Sequence, residues 1–160
     1  MSILNEIADY TRQRISECKK TVSDSEMIER AKAVKSKLPA FAFENALKKD
    51  GINFICEVKK ASPSKGVIVE TFPYEAIATD YENAGADCIS CLTEPKYFMG
   101  NDNYLKAIKS KVNIPVLRKD FTIDEYMIYQ AKSLDAGCVL LICSLLPEET
   151  LKRYIGICDS

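Results

Sequence analysis

The sequence predicts an α/β protein with about four parallel βα units behind a helical N-terminal segment. From residue 53 onward, apolar runs typical of strands alternate with stretches typical of helices, which leave too little chain for hairpins. Strands that are separated by helices pair in parallel through right-handed crossovers. We therefore expect one domain, with residues 1–52 as a helical extension and residues 53–160 as the strand-containing part.

The N-terminal extension is predicted to be helical along most of its length. Apolar residues recur at helical spacing from Leu4 to Cys18, which predicts the first helix. Ser23 and Glu26 match the capping-box pattern that marks the start of a second helix. A further short helix is predicted over residues 41–47, before the chain turns toward the first strand.

The remaining elements follow from the apolar pattern of the second part. The predicted strands are residues 53–59, 88–92, 114–117 and 138–145. The predicted helices are residues 74–84, 103–111, 123–134 and 147–158. Gly85 and Gly137 precede the second and fourth strands, at positions where glycine commonly caps the C-terminus of a helix.

The charge balance argues against polyanionic partners. With 22 Lys+Arg against 23 Asp+Glu, the net charge is −1, so no basic field attracts nucleic acid or anionic lipid. The longest apolar stretch, residues 138–146, is about half the roughly 20 residues that a membrane-spanning helix needs. The first residues lack the basic and then apolar order of a signal peptide. We expect a cytoplasmic protein that binds neither nucleic acid nor membranes.

The cysteine and histidine counts restrict the chemistry. Seven cysteines, several of them in apolar runs, are typical of reduced thiols rather than of a disulfide scaffold. Because the sequence contains no histidine, it excludes a Ser-His-Asp or Cys-His nucleophile and every metal site that needs histidine. Acid–base catalysis would depend on Lys, Asp, Glu or Tyr, and we expect no metal site.

Charged residues in and after the first strand are the first candidate site. Alternation places Glu57 and Lys59 on one face of that strand, and residues 59–66 form a loop with several lysines and serines. Parallel α/β proteins bind ligands at this end of their strands. A P-loop pattern is absent, so the loop suggests a small anionic substrate, with a solvated surface turn as the alternative. The expected burial of Glu57 favours a functional role.

The third strand ends in a similar way. Alternation places Lys119 on the inward face with Leu117, while Arg118 lies on the other face, where we expect it to form an ion pair. In the loop after the second strand, Tyr97 and Phe98 can line a pocket for an aromatic ligand, or only pack the loop against its neighbours.

Several segments together resemble indole-3-glycerol-phosphate synthase. The motifs are FICEVKKASPSKG (residues 54–66), LTEPKYFMG (92–100), PVLRKDF (115–121) and VLLI (139–142), and the similarity extends over the N-terminal helices. The resemblance implies a TIM (β/α)8 barrel with an N-terminal helical extension, of which this chain would hold roughly units one to four. It implies a cofactor-free carboxy-lyase of tryptophan biosynthesis that closes the ring of 1-(2-carboxyphenylamino)-1-deoxyribulose 5-phosphate and releases carbon dioxide and water.

The same resemblance implies roles for particular residues. Lys119 would be the general acid toward the ribulose carbonyl and hydroxyl, with Glu57 as a catalytic carboxylate beside it. Lys59 would also belong to this catalytic group. Lys59 and Ser62 would contact anionic groups of the substrate or neighbouring catalytic carboxylates, while Phe98 and Phe121 would line the pocket for the anthranilate ring.

A complete barrel of this type has eight strands and typically about 250 residues. In the family, the second half supplies another catalytic carboxylate and the loops that bind the substrate phosphate, and we find no counterpart of them in these 160 residues. We therefore expect exposed sheet edges and a marginal fold for the isolated chain. Two alternatives remain: a catalytically silent half-barrel that acts only by assembly, with itself or with another chain, and a sister phosphate-binding barrel such as phosphoribosylanthranilate isomerase.

Overall fold

A computed structural model describes residues 2–160 as alternating helices and strands. The helices are α1 (Ile3–Thr21), α2 (Asp24–Lys32), α3 (Ala42–Ala46), α4 (Tyr74–Asn83), α5 (Asp102–Lys111), α6 (Glu125–Ser133) and α7 (Glu148–Cys158). The strands are β1 (Ile55–Val58), β2 (Ala61–Ser62), β3 (Gly66–Val67), β4 (Cys88–Leu92), β5 (Val116–Lys119) and β6 (Cys138–Val139). Every predicted helix is confirmed, with ends that differ by a few residues at most.

The helices of the extension begin where the sequence predicts. The Ser2 side chain accepts a hydrogen bond from the Asn5 backbone N–H and caps α1, and Ser23 caps α2 through the Glu26 N–H. Such caps satisfy backbone donors that have no partner within the helix. The buried face of α1 includes Ile15, which packs with residues of α2 and α6. The extension is thereby held against the helix that follows β5.

The sheet consists of β1, β4, β5 and β6 in that order, and every pair is parallel. Each strand pairs with the next parallel strand along the chain, with a helix in each connection. This arrangement confirms the predicted α/β class and matches the first part of a (β/α)8 barrel. Because all strands point in one direction, their carboxyl ends lie at one edge of the sheet.

Two layers of apolar side chains fix the sheet. On its outer face, Val58, Ile89 and Val116 are buried against residues of α4 and α5. At the amino end of the strands, Phe43 of α3 packs with Cys88 and other buried residues. Burial of this kind stabilises the fold by about 25 cal/mol per Å² of apolar surface. The carboxyl end of the strands is left for polar side chains.

The fourth strand is shorter than predicted. The sequence predicts a strand over residues 138–145, but only Cys138–Val139 pairs with β5. The prediction was wrong because the apolar residues that follow serve a different contact: Leu141, Leu145 and Leu146 pack with α6 and α7. An apolar run of this length does not distinguish sheet pairing from helix packing.

The segment after β1 also differs from the expected loop. Residues 61–67 form a small antiparallel hairpin, in which Ala61 pairs with Val67 and Ser62 pairs with Gly66. Gly66 has a φ angle of 65°, a left-handed conformation that glycine adopts without strain. Ser62, Ser64 and Lys65 therefore lie on a short β-ribbon that follows β1, while Lys59 and Lys60 precede it.

Candidate active site

Glu57 lies at the centre of a charged cluster on the inward face of the sheet. Its Oε1 atom accepts a hydrogen bond from Lys59 Nζ at 2.6 Å, and its Oε2 atom accepts one from Lys119 Nζ at 2.9 Å. Ser90 Oγ, on the strand β4 that lies between β1 and β5, donates to Oε2 at 3.4 Å. The strand register explains why these side chains converge. Glu57 of β1 pairs with Ser90 of β4, and Lys119 of β5 pairs with Leu92 of the same strand β4. Glu57 and Lys119 thus meet on one face, as alternation predicts.

The cluster combines one carboxylate with two ammonium groups. The side chain of Glu57 is 28% exposed, so the expectation that it is buried was wrong, because α3 covers this face only at the amino end of the strands. Partial burial disfavours the charged carboxylate, but the hydrogen bonds and charges of Lys59 and Lys119 outweigh it and hold the pKa of Glu57 below its ordinary value. The carboxylate is ionised at neutral pH and keeps both ammonium groups in place.

The lowered pKa of Glu57 predicts an acid-sensitive contribution to stability. Its ionised form is favoured in the folded chain, so the contribution is present above the ordinary glutamate pKa of about 4.3 and is lost as the pH falls through the lower folded value. We expect the free energy of unfolding to fall more between about pH 5 and pH 3 in the wild-type chain than in Glu57→Gln. Urea titrations at both pH values measure this difference, and equal losses in the two proteins would contradict it.

Arg118 lies on the opposite face of β5, as predicted, and is almost completely buried. Its guanidinium donates to the carboxylate of Asp102 at the start of α5, at 2.9–3.0 Å. It also donates to the Gln130 side chain at 2.9 Å and to the Met127 carbonyl oxygen at 3.2 Å, both on α6. The predicted ion pair is therefore present, but it joins the sheet to two helices instead of facing solvent.

The loop after β4 is organised by a buried carboxylate. Glu94 is fully buried and accepts hydrogen bonds from the backbone N–H groups of Lys96, Tyr97 and Phe98 at 2.6–3.0 Å. The Phe98 ring lies 6.1 Å, centroid to centroid, from Phe121, which follows β5. The two rings implied to contact the anthranilate group are thus brought together at the carboxyl edge of the sheet.

Gly100 closes this loop and is expected to tolerate no side chain. A Cβ atom at position 100 would lie 2.5 Å from the Leu92 carbonyl oxygen and 2.7 Å from backbone carbons, none of which can rotate away. We expect Gly100→Ala to lower the free energy of unfolding by about 1–3 kcal/mol, measured by urea denaturation.

A glycine on a helix provides the control for this substitution. At Gly156 in α7 a Cβ atom meets nothing within 4 Å, so Gly156→Ala is expected to stabilise the chain by roughly 0.5–1 kcal/mol. An equal effect at both positions would show that the close approach at Gly100 does not matter.

Ser62 is not part of the charged cluster. Its hydroxyl accepts a hydrogen bond from the Lys65 backbone N–H at 3.2 Å within the β2–β3 hairpin. The expected contact between Ser62 and the substrate therefore stays a prediction.

The thiols and carboxylates do not form an alternative reactive site in the described residues. Cys88 and Cys91 lie on opposite faces of β4, and burial raises the pKa of these thiols to about 11 and about 12. Within the described part of the chain, no three His, Cys, Asp or Glu side chains come close enough together to hold a metal ion.

None of the helices between residues 2 and 160 combines the length and apolar character that a membrane crossing demands.

Sequence reasoning missed the polar residues behind the cluster. Asp120 is fully buried beside Lys119, and Arg14 of α1 donates to it at 2.7 Å. The run of three charges at residues 118–120 was a signal that Asp120 could be important, but nothing in the sequence pairs it with Arg14. Glu94 was likewise visible only as one charge in a polar loop.

Comparison with known proteins identifies the family. The family model for indole-3-glycerol phosphate synthase matches residues 4–159. The chain belongs to this family. Its four parallel strands are accordingly part of a TIM barrel, and the match disfavours the phosphoribosylanthranilate isomerase alternative. The family membership also accounts for the order of the motifs around Glu57, Phe98 and Lys119.

Individual relatives are also named indole-3-glycerol phosphate synthase. An indole-3-glycerol phosphate synthase of Ruminiclostridium cellulolyticum is 57% identical over 157 residues, which are 98% of this chain and 60% of that protein. The corresponding protein of Lachnoclostridium phytofermentans is 45% identical, with 98% of this chain and 62% of that protein covered. That of Endomicrobium trichonymphae is 49% identical, with 96% and 59% covered. The chain thus spans about three fifths of the length of these relatives.

Proposed function

We propose that this chain forms the first part of an indole-3-glycerol phosphate synthase active site. The reaction is the ring closure of 1-(2-carboxyphenylamino)-1-deoxyribulose 5-phosphate with release of carbon dioxide and water, a carboxy-lyase step of tryptophan biosynthesis. The observation that supports this most directly is the Glu57 carboxylate between Lys59 and Lys119, at the carboxyl ends of β1 and β5, which lie on either side of β4.

Lys119 is the proposed general acid. Ring closure places negative charge on the ribulose carbonyl oxygen, and the later loss of water requires a proton on the departing hydroxyl. A lysine ammonium is a proton donor and can donate in both steps. Glu57 holds this ammonium at 2.9 Å and is positioned to accept a proton when the reaction requires it.

Lys59 and the aromatic rings complete the proposed substrate contacts. Lys59 shares the Glu57 carboxylate and can pair with a carboxylate of the substrate. Phe98 and Phe121 present adjacent rings, which favour offset or edge-on packing with an anthranilate ring. The substrate phosphate would be bound outside these 160 residues, by the second half of a complete barrel.

A hybrid barrel tests the proposal. In the hybrid, the 160-residue chain replaces the matching part of the Ruminiclostridium cellulolyticum relative, with which it is 57% identical. We expect the purified hybrid to convert the substrate, followed by the fluorescence of the indole product. A folded hybrid without turnover would contradict the proposal. The isolated chain is assayed beside it to determine whether it has activity of its own.

A silent, assembling half-barrel is the second candidate function. It is favoured by apolar side chains at and before β1 that are exposed in the single chain, namely Ile52 at 81%, Phe54 at 56% and Ile55 at 47%. A partner that covers this edge would bury them, and a second copy of the chain is one such partner. Sedimentation of the isolated chain measures self-association, and turnover by the hybrid separates this role from catalysis.

We also propose a cytoplasmic location. All seven cysteines are free thiols, as expected in a reducing compartment.

A further inference from the structure

Asp120 is a buried side chain with several hydrogen bonds, and it lies next to the charged cluster. Its carboxylate is fully buried and accepts hydrogen bonds from Arg14 Nη2 at 2.7 Å, from Thr93 Oγ1 at 2.8 Å and from the Phe121 backbone N–H at 2.8 Å. Arg118 Nη2 lies 3.5 Å from its second oxygen. Burial disfavours the charged form, but the charges of Arg118 and Arg14 outweigh it and hold the pKa of Asp120 below its ordinary value.

These bonds converge on the point where β5 ends. Asp120 directly follows Lys119, and the Lys119 carbonyl oxygen accepts the Thr93 backbone N–H at 3.0 Å. Thr93 therefore holds the chain at two consecutive residues, through its backbone to Lys119 and through its hydroxyl to Asp120. Arg14 adds a contact from α1, more than one hundred residues earlier in the chain. The direction in which the Lys119 side chain leaves the strand depends on this anchored backbone.

We propose that Arg14 and Asp120 are a positioning pair, through which the N-terminal helix fixes the end of β5 so that Lys119 reaches the Glu57 carboxylate. Neither residue is proposed to contact the substrate. The geometric part of this inference is independent of the reaction, whereas its kinetic consequence rests on the proposed function. An ion pair that only attached α1 to the barrel would stabilise the fold without affecting the distance between Lys119 and Glu57.

A second ion pair provides the matched control. Lys19 of α1 pairs with Asp124, the residue that caps α6, at 3.0 Å. This pair also links α1 to the segment after β5, but it lies further along that segment, is partly exposed and contacts neither Lys119 nor Glu57 in the described residues. Lys19→Gln therefore removes a similar attachment without disturbing the end of β5.

The first measurement follows the carboxyl group of Glu57 directly. We propose a ¹³C NMR titration of this group in the 160-residue chain, with Glu57→Gln used to assign its signal. In the wild type the pKa of Glu57 lies below its ordinary value, because Lys59 and Lys119 bond to it against the effect of burial. If Lys119 moves away, the pKa of Glu57 rises toward that ordinary value. This readout does not depend on stability or on turnover.

The expected results separate positioning from attachment. Arg14→Gln and Asp120→Asn raise the pKa of Glu57, while Lys19→Gln leaves it unchanged. Arg14→Lys keeps the wild-type pKa of Glu57, because Arg14 bonds to Asp120 through Nη2 alone and one ammonium group can replace that bond. The buried Nε atom of Arg14 has no partner among the described residues, so its loss removes no hydrogen bond. An unchanged titration in folded Arg14→Gln overturns the proposal. If both neutral variants unfold while Lys19→Gln remains folded, the pair is purely structural and the proposal is rejected.

Turnover in the hybrid barrel provides the second measurement. A displacement of about 1 Å at a reacting group can cost about 10²-fold in rate, so we expect Arg14→Gln to lower kcat by about 10–100-fold with little change in KM. Lys19→Gln is expected to keep both constants. If the unsubstituted hybrid is inactive, the proposed function fails while the Glu57 titration still decides the positioning role. If the hybrid is active and Arg14→Gln keeps its kcat, only the positioning role fails.

Discussion

Replacing Lys119 with alanine is expected to lower turnover of the hybrid barrel by about 10²–10⁴-fold, the usual contribution of a positioned general acid. The proton donor for the carbonyl and hydroxyl oxygens is removed, and the remaining Lys59 is held on the other oxygen of Glu57. Steady-state kinetics measure the loss. The fold should persist, because the Lys119 side chain is 34% exposed and contributes little to the core.

Lys106→Ala is the control for this substitution. It removes the same charge and chain length from an exposed position on α5, away from Glu57, and should leave kcat unchanged. Circular dichroism establishes that both variants are folded. Wild-type turnover in a folded Lys119→Ala variant would remove the general-acid assignment. It would leave the charged cluster without a demonstrated catalytic group.

The largest effect on stability is expected at Arg118. Its side chain is 2% exposed and bonds to Asp102 and Gln130, while Asp120 lies at 3.5 Å. Removing one partner of a buried ion pair typically costs 3–5 kcal/mol, and here it also removes the donor to the Gln130 side chain and to the Met127 carbonyl oxygen. We therefore expect Arg118→Met, which retains much of the side-chain volume, to lower the free energy of unfolding by about 3–5 kcal/mol. Urea denaturation at neutral pH measures this change.

An exposed ion pair is the control for Arg118. Lys152 and Glu148 pair at 2.7 Å on α7, and both side chains are more than 60% exposed. Such pairs contribute about 0.3–0.5 kcal/mol, so Lys152→Met should change the stability only slightly. If the two substitutions had similar effects, the network around Arg118 would not be the main connection between the sheet and α5 and α6.

Most of the fold was predictable from local patterns. The strand over residues 88–92 is observed with the predicted ends, and α5 and α7 begin and end within one residue of the prediction. These elements are encoded by neighbouring residues, since apolar spacing and helix caps act over a few positions. The fourth strand was overpredicted because Leu141, Leu145 and Leu146 pack with helices, which depends on where α6 and α7 lie.

The candidate site was predictable in part. Alternation along two strands placed Glu57 and Lys119 on the same face, because successive residues of a strand point to opposite sides. The exposure of Glu57 was not predictable, since it depends on what covers that face of the sheet. The roles assigned to these residues came from the resemblance to the family and remain to be tested by the substitutions described above.

The sequence by itself determined the helices, the order of the four parallel strands, and the side of each strand on which its charges lie. Only the tertiary structure decided which charges meet. Arg14 reaches Asp120, and Glu94 binds the backbone of its own loop, because packing of α1 and of the loop after β4 brings those groups within bonding distance. The periodicity of a sequence indicates whether each residue faces the core or the solvent. Which distant residue it contacts depends on how whole helices and strands pack against each other.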